Sequence, residues 1–215
     1  MLLSFPSSTE VNKRIPKQKF YDNLDISPAL KKSFVEQIQA VYWRNKLAPS
    51  TINLNAGERV TELEVFEIEL TSQELDEAVL RQIDKQIPYH ILFVLSYGDK
   101  AKLMVCFKEA AESGSNAFKV NRYFSTPWVN REDAAVQLKG LDLDTVLDNI
   151  IKDIGNIQIE DGNTLGQQIQ VNAEREKLEK EIARLEKLAR KETQPRRKFE
   201  IVQKISLLKK ERGDI

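Results

Sequence analysis

Apolar residues recur along one stripe near the C-terminus: Val171, Leu178, Ile182, Leu185 and Ala189, then Ile201, Ile205 and Leu208. Steps of seven, four and three keep such positions on one side of a helix, as in the seam of a coiled coil. Thr193-Gln194-Pro195 interrupts the stripe, so the pattern predicts two charged helices folded into a hairpin over residues 164–213. The seam is weak, because Arg175 and Glu192 fall at its core positions and Ala189 is small. A first helix running from Thr164 to Lys191 would be about 40 Å long, at about 1.5 Å per residue.

Residues 1–160 show shorter and more varied patterns and predict an α+β domain with a small, mostly antiparallel sheet packed with helices. The first stretch, with Pro6 and Pro16, reads as an extended lead-in tied down by Ile15, Phe20, Tyr21 and Leu24. Ser27-Pro28 is a helix start, a hydroxyl cap followed by a proline at the first helical position. Leu30, Phe34, Ile38, Val41 and Tyr42 then share one helical face, which predicts a helix ending only before Pro49. Arg59–Leu70 reads as a strand whose alternation slips at Val65-Phe66, through a bulge or through burial of both faces. Thr71 and Glu74 form a capping-box pattern for a second helix carrying Leu75, Ala78, Val79 and Ile83, closed by Pro88. Tyr89–Ser96 and Leu103–Phe107 flank the turn residues Tyr97-Gly98-Asp99-Lys100, a hairpin. Ala117–Phe124 predicts a further strand beyond a loop containing Gly114. Asp142 or Asp144 caps a third helix bearing Val146, Leu147, Ile150, Ile151 and Ile154.

Charge sharpens the contrast between the two parts. The whole chain is neutral, with 33 Lys/Arg and 33 Asp/Glu, yet Thr164–Ile215 holds 14 basic against 9 acidic residues. Between Lys187 and Arg212 ten basic residues face only Glu192, Glu200 and Glu211. A patch of this kind suits phosphate or an acidic protein surface. The single Cys106 excludes an internal disulfide framework and fits a reducing compartment. The apolar run at Met1–Phe5 is too short for a secretory signal, and no stretch reaches membrane-crossing length. A cytoplasmic protein without membrane contact is expected.

Candidate chemistry is sparse. Glu62, Glu64, Glu67 and Glu69, with Lys102 and Lys108 on a neighbouring strand, are the residue types of a metal-dependent nuclease. The plainer expectation is a solvated strand face with charged cross-strand partners. His90, the only histidine, sits inside an apolar run and reads as a hydrogen-bonded strand residue, and Cys106 as a small core residue. One His and one Cys cannot make a usual zinc site, and no phosphate-binding glycine motif occurs. No catalytic residue, metal or cofactor is therefore assigned. Trp43 with Arg44 and Lys46 could stack on a base and meet phosphate, or cover the sheet, or dock another subunit. Arg190, Lys191, Arg196, Arg197 and Lys198 gather at the hairpin tip, where phosphate contacts would give affinity without sequence choice.

Several stretches, taken together and in order, resemble an uncharacterised bacterial family known as domain of unknown function 4391. They are Lys13-Arg14-Ile15-Pro16-Lys17 with Phe20-Tyr21, Tyr42–Leu47, Glu64–Ile68, Ile87–Phe93, Tyr97–Lys100, Thr126-Pro127-Trp128, Leu141–Asp144 and Gln194–Lys198. Similar sequences commonly carry Glu where this chain has Pro127. The resemblance implies a small protein encoded beside DNA methyltransferases and helicases of restriction or phage-defence clusters, and it carries over no activity or site residues.

The residues lead to a non-catalytic accessory subunit, and the resemblance implies a helicase or DNA methyltransferase as what it docks on. Leu178, Ile182, Leu185, Ile201, Ile205, Leu208 and Trp43 are its expected partner-binding residues, and self-association through the coiled coil is compatible with them. Arg190, Lys191, Arg196, Arg197, Lys198, Arg44 and Lys46 are its expected nucleic-acid contacts. The alternatives are a direct nucleic-acid-binding protein and, third, a nuclease-like enzyme.

Overall fold

The computed structural model describes residues 3, 5–22, 26–110 and 118–214. Leu24 and the loop around Gly114, both singled out above, lie outside the described residues. The chain divides into two compact units, Met1–Asn156 and Ile157–Ile215.

In chain order the first unit contains β1 (Glu10–Ile15), α1 (Pro28–Gln37), β2 (Ile38–Leu47), β3 (Leu63–Leu70), α2 (Glu77–Gln86), β4 (His90–Tyr97), β5 (Lys100–Ala110), β6 (Phe118–Ser125), β7 (Val129–Asn130) and α3 (Leu143–Gly155). Among the described residues the strands form one sheet in the order β1-β2-β3-β4-β5-β6, with β7 paired to β5. Only β3 and β4 run parallel, and α2 makes the crossover between them that a parallel pair requires. The expected α+β class, with a mostly antiparallel sheet, is what the structure contains.

One face of the sheet is closed by α1 and α2. Phe34, Val79, Leu80 and Ile83 meet Ile38, Val41, Phe66, Ile68, Ile91 and Phe93 there in a continuous core. Strand alternation turns Val65, Leu92, Val94, Leu103 and Val105 to the other face, where α3 packs across β5 and β6. Because both faces are covered, β3 is buried along nearly its whole length, its glutamates included, which explains most of its broken alternation. The remainder is a bulge on the neighbour. The β2–β3 register jumps from Trp43 opposite Phe66 to Asn45 opposite Val65, leaving Arg44 as the extra residue.

Two expected boundaries are corrected. The helix capped by Ser27, whose hydroxyl accepts from the Leu30 amide at 3.2 Å, ends at Gln37 rather than near Pro49. Ile38–Leu47 is instead a ten-residue strand. Ile38, Val41, Tyr42 and Trp43 are β-branched or aromatic, and their chosen partner β3 lies well downstream, so no local signal separated the two outcomes. Likewise the second helix does not begin at Thr71. Its cap is Asp76, which accepts from Ala78, while the Thr71 hydroxyl donates to the Glu36 carbonyl at 2.7 Å.

The β4–β5 turn has Gly98 at φ +57, followed by Asp99, the placement that a two-residue type II′ hairpin requires. Asp142 caps α3 by accepting from Thr145 at 2.8 Å. Asp144, one residue inside the helix, accepts the amides of Glu58 at 3.0 Å and Val60 at 2.7 Å, which pins the long β2–β3 connection. Gly57 has to be glycine for this contact: a Cβ there would overlap the Asp144 carboxylate and lie 2.8 Å from its backbone nitrogen. Gly57→Ala is expected to cost about 1–3 kcal/mol by overpacking, read as a lower urea midpoint at unchanged slope.

The second unit contains α4 (Leu165–Lys191) and α5 (Pro195–Asp214). Thr164 and Gln167 cap α4 reciprocally, Thr164 accepting the Gln167 amide and Gln167 accepting the Thr164 amide. Pro195 occupies the first position of α5, where its missing N–H costs nothing. No helix among the described residues is long and apolar enough to cross a membrane.

Candidate functional site

The hairpin seam forms as the sequence predicts. Ile182, Leu185, Ala189 and Ile205 are buried together, with Ile201 and Leu208 packed against them. Exposed ion pairs span the antiparallel helices beside this seam: Lys209 to Glu186 at 2.8 Å, Lys204 to Glu181 and Arg212 to Glu179, both at 3.7 Å. Arg175, at its unfavourable seam position, reaches back to Glu160 at 2.6 Å. Most residues expected to grip a partner therefore hold the hairpin together instead, and Leu178 is half-buried. The apolar groups that remain exposed are Leu188, Phe199, Val202 and Leu207, which the heptad reading passed over because they lie off the seam.

The tip brings together the five expected cations. Arg190 and Lys191 end α4, a favourable place for positive charge. Arg196, Arg197 and Lys198 stand in the first turn of α5, which holds no acidic residue. There the helix macrodipole is positive, so three more cations are unfavourable by a few tenths of a kcal/mol each, roughly. Among the described residues only Arg196 has an ion-pair partner within 4 Å, Glu200 at 3.6 Å, with side chains 94% and 62% exposed, while the Arg190 charge acts on Glu186. A pair so exposed contributes almost nothing to stability. The concentration of charge thus works against the fold and suits an external anion.

In the first unit Trp43, Arg44 and Lys46 share strand β2 and are committed to neighbours. The Trp43 ring stacks at a tilt on Phe66, 6.5 Å between centroids, and its Nε1 donates to the Glu64 carboxyl and to the Asn45 carbonyl. Lys46 pairs with Glu62 at 2.5 Å. Arg44 lies over the Tyr42 ring, 4.4 Å from its centroid, and pairs with Glu67 at 2.7 Å. Trp43 is therefore a packing residue of the sheet, and neither cation is unengaged as a phosphate contact would need.

The expectation of a solvated strand face on β3 is overturned. Glu64 is 3% exposed and Glu67 1% exposed, because β2 and β4 flank β3 and both faces are covered. Each carboxylate survives burial through partners. Burial, then the hydrogen bond and charge of Glu62, push the Glu64 carboxyl up to about 8, so it carries a proton at neutral pH. Burial acts upward on Glu62 too, but the hydrogen bonds from Glu64 and Lys46 outweigh it and hold Glu62 below its ordinary value. Glu67 instead receives two arginines, Arg44 and Arg131.

A second buried polar group lies beneath α2. Lys108 pairs with Asp84 at 2.7 Å with both side chains fully buried, and donates to the Tyr89 carbonyl at 2.9 Å. The Tyr123 hydroxyl also donates to Asp84. His90 opens β4, and burial, then the Lys108 charge, push its imidazole down to about 3, so it stays neutral. Burial, then the Asp84 charge, push the Cys106 thiol up to about 12. An imidazole that takes up a proton only near pH 3 is a weak base, and a thiol that keeps its proton to about 12 is not a thiolate at neutral pH. Among the described residues no group of three or more His, Cys, Asp or Glu stands close enough to hold a metal ion. Arg131 and Asp84 carried no sequence signal, since their partners are distant along the chain.

A family model described as a domain of unknown function (DUF4391) matches residues 3–211. No curated protein and no solved structure matches the chain.

Proposed function

We propose that this chain, which belongs to the DUF4391 family, is a non-catalytic accessory protein that joins a larger nucleic-acid-processing assembly through its C-terminal hairpin. The observation that carries this reading is the tip of α4 and α5, where five cations gather, of which only Arg196 is ion-paired among the described residues, beside exposed Leu188, Phe199 and Val202. Stability alone does not favour that arrangement. The cations serve a phosphate backbone and the apolar groups a protein surface. The family resemblance suggests a helicase or DNA methyltransferase as the protein partner. Direct nucleic-acid binding by the chain alone is the second reading, and the same tip favours it. The third, a nuclease, draws no support from Glu64 and Glu67, which are buried and engaged.

Mobility-shift titration of duplex DNA at two salt concentrations tests the tip. Wild type is expected to bind at low salt, and Arg196→Ala/Arg197→Ala/Lys198→Ala to bind about tenfold or more weakly. Removing three phosphate contacts should also flatten the log–log salt dependence by about 2.7. Equal binding by both proteins would remove the tip from the proposal, and no shift at low salt would remove DNA contact altogether. Affinity purification of a tagged chain from cells carrying its natural gene neighbourhood tests the partner. Recovery of a nucleic-acid enzyme with wild type, and its loss with Phe199→Asp/Val202→Asp, is expected. Repeated recovery of the chain by itself would sink the accessory reading.

A further inference from the structure

The turn from α4 into α5 is open to solvent, with every residue from 193 to 200 exposed. Phe199, the only aromatic residue between Thr164 and Ile215, stands there 62% exposed, and Val202, three positions on, is 49% exposed. At about 3.6 residues per turn, Phe199 lies roughly 180–240° around α5 from the seam residues Ile201, Ile205 and Leu208. Its ring therefore has no place in the seam. Its neighbours are cations. Arg196 lies three positions earlier on the same face, and Arg197 and Lys198 precede it in the same turn of helix. Glu200 is the ion-pair partner of Arg196, while Glu192, across the turn, accepts the Gln194 amide at 2.8 Å.

A single apolar residue on a surface is ordinary. A ring set inside a positive patch is different, because the two features suit different parts of one ligand. A nucleotide strand supplies both parts, phosphates for the guanidinium and ammonium groups and a base face for the ring. Duplex and single strand differ in what they offer. In a duplex each base is covered by its stacked neighbours, so a side chain reaches a base face only by prying a step open. An unpaired base presents its face freely. Every base has such a face, so stacking there carries no sequence choice.

We propose that the hairpin tip binds single-stranded nucleic acid, with an unpaired base stacked on Phe199 and the adjoining phosphates on Arg196, Arg197 and Lys198. This rests on the function proposed above and narrows it. Of the exposed apolar groups, Phe199 meets a base, and Leu188 and Val202 remain for a protein surface. The cations set the salt dependence, and the ring sets the preference for strands over duplex.

Fluorescence anisotropy of the full chain with labelled oligo(dT), oligo(U) and a duplex of the same length, at one salt concentration, tests this. The better strand is expected to bind about tenfold more tightly than the duplex, and it identifies the natural ligand as DNA or RNA. Phe199→Leu keeps the apolar bulk but has no ring face, so it should lower strand affinity about tenfold and erase the preference over duplex. Its urea unfolding curve should match wild type, since Phe199 is exposed and off the seam. Phe199→Trp, with a larger ring, should bind strands at least as tightly as wild type. Duplex binding as tight as strand binding, or strand binding unmoved by Phe199→Leu, would overturn the stacking and leave the tip a phosphate site. Binding of neither strand nor duplex would remove both readings.

Discussion

Lys108→Ala is expected to lower the free energy of unfolding by about 3–5 kcal/mol, the largest effect of any single change considered for this protein. The Lys108 and Asp84 side chains are fully buried and 2.7 Å apart, so removing the cation strands a carboxylate in an apolar core. Burial already pushes the Asp84 carboxyl above its ordinary value, against the pull of Lys108. Without that pull Asp84 must either take up a proton or remain as an uncompensated charge, and both cost stability at neutral pH. The Tyr89 carbonyl loses its donor as well. A companion variant separates pairing from simple loss of volume. Asp84→Leu/Lys108→Met/Tyr123→Phe removes both charges and the hydroxyl and should recover most of the stability, because no buried charge is stranded and the Tyr89 carbonyl alone loses the Lys108 donor. Urea unfolding of the three proteins checks this. A loss below about 1 kcal/mol for Lys108→Ala would mean that the pair is not dry as described.

The second large effect is a loss of stability on the alkaline side that Glu64→Gln reduces. The folded Glu64 carboxyl holds its proton up to about 8, against an ordinary value of 4.5. Between those values the native state binds more protons than the unfolded chain, so stability falls as pH rises. His90 acts in the opposite sense. Its folded imidazole stays neutral down to about 3, against an ordinary 6.5, so stability falls as pH drops below 6.5. The two slopes oppose one another between 4.5 and 6.5. Above 6.5 the His90 contribution has ended, and Glu64 lowers stability by up to about 1.4 kcal/mol per pH unit until it ionises, in the same sense as the raised Asp84 carboxyl. Glutamine keeps an acceptor for Trp43 and a donor for Glu62 and cannot ionise. From pH 6.5 to 8 the variant should therefore decline less steeply than wild type, by the Glu64 contribution. Parallel curves for both proteins across that range would show that Glu64 is ionised throughout.

These two polar groups mark where a reading of the sequence reaches its limit. The β3 glutamates were visible as a row of acids, and a row of acids on a strand is ordinarily solvated. Burial reversed that because β3 lies inside the sheet, and its partners come from far along the chain. Arg44 is 23 positions from Glu67, and Arg131 is 64. The hairpin shows the opposite balance. Its seam, its break at Pro195 and its basic tip were all legible, because a helix is organised by residues three, four and seven apart. What the seam pattern did not reveal is which apolar residues stay uncovered, since Phe199 and Val202 fall outside the repeat.

Local order was fixed by the sequence wherever the interaction is itself local. The Ser27 and Asp142 caps, the Gly98 turn with its flanking strands, the amphipathic stripe of α3 and the paired C-terminal helices all follow from neighbours within a few positions. Tertiary structure decided the rest. Ile38–Leu47 carries apolar residues compatible with a helical face, and it becomes a strand because β1 and β3 arrive on either side to satisfy its backbone. Whether Glu64 is neutral, Glu67 clamped or Lys108 dry depends equally on elements that meet only in the folded chain. A peptide group or a charge gains its partner from whatever packs against it, and that identity is set by the fold as a whole.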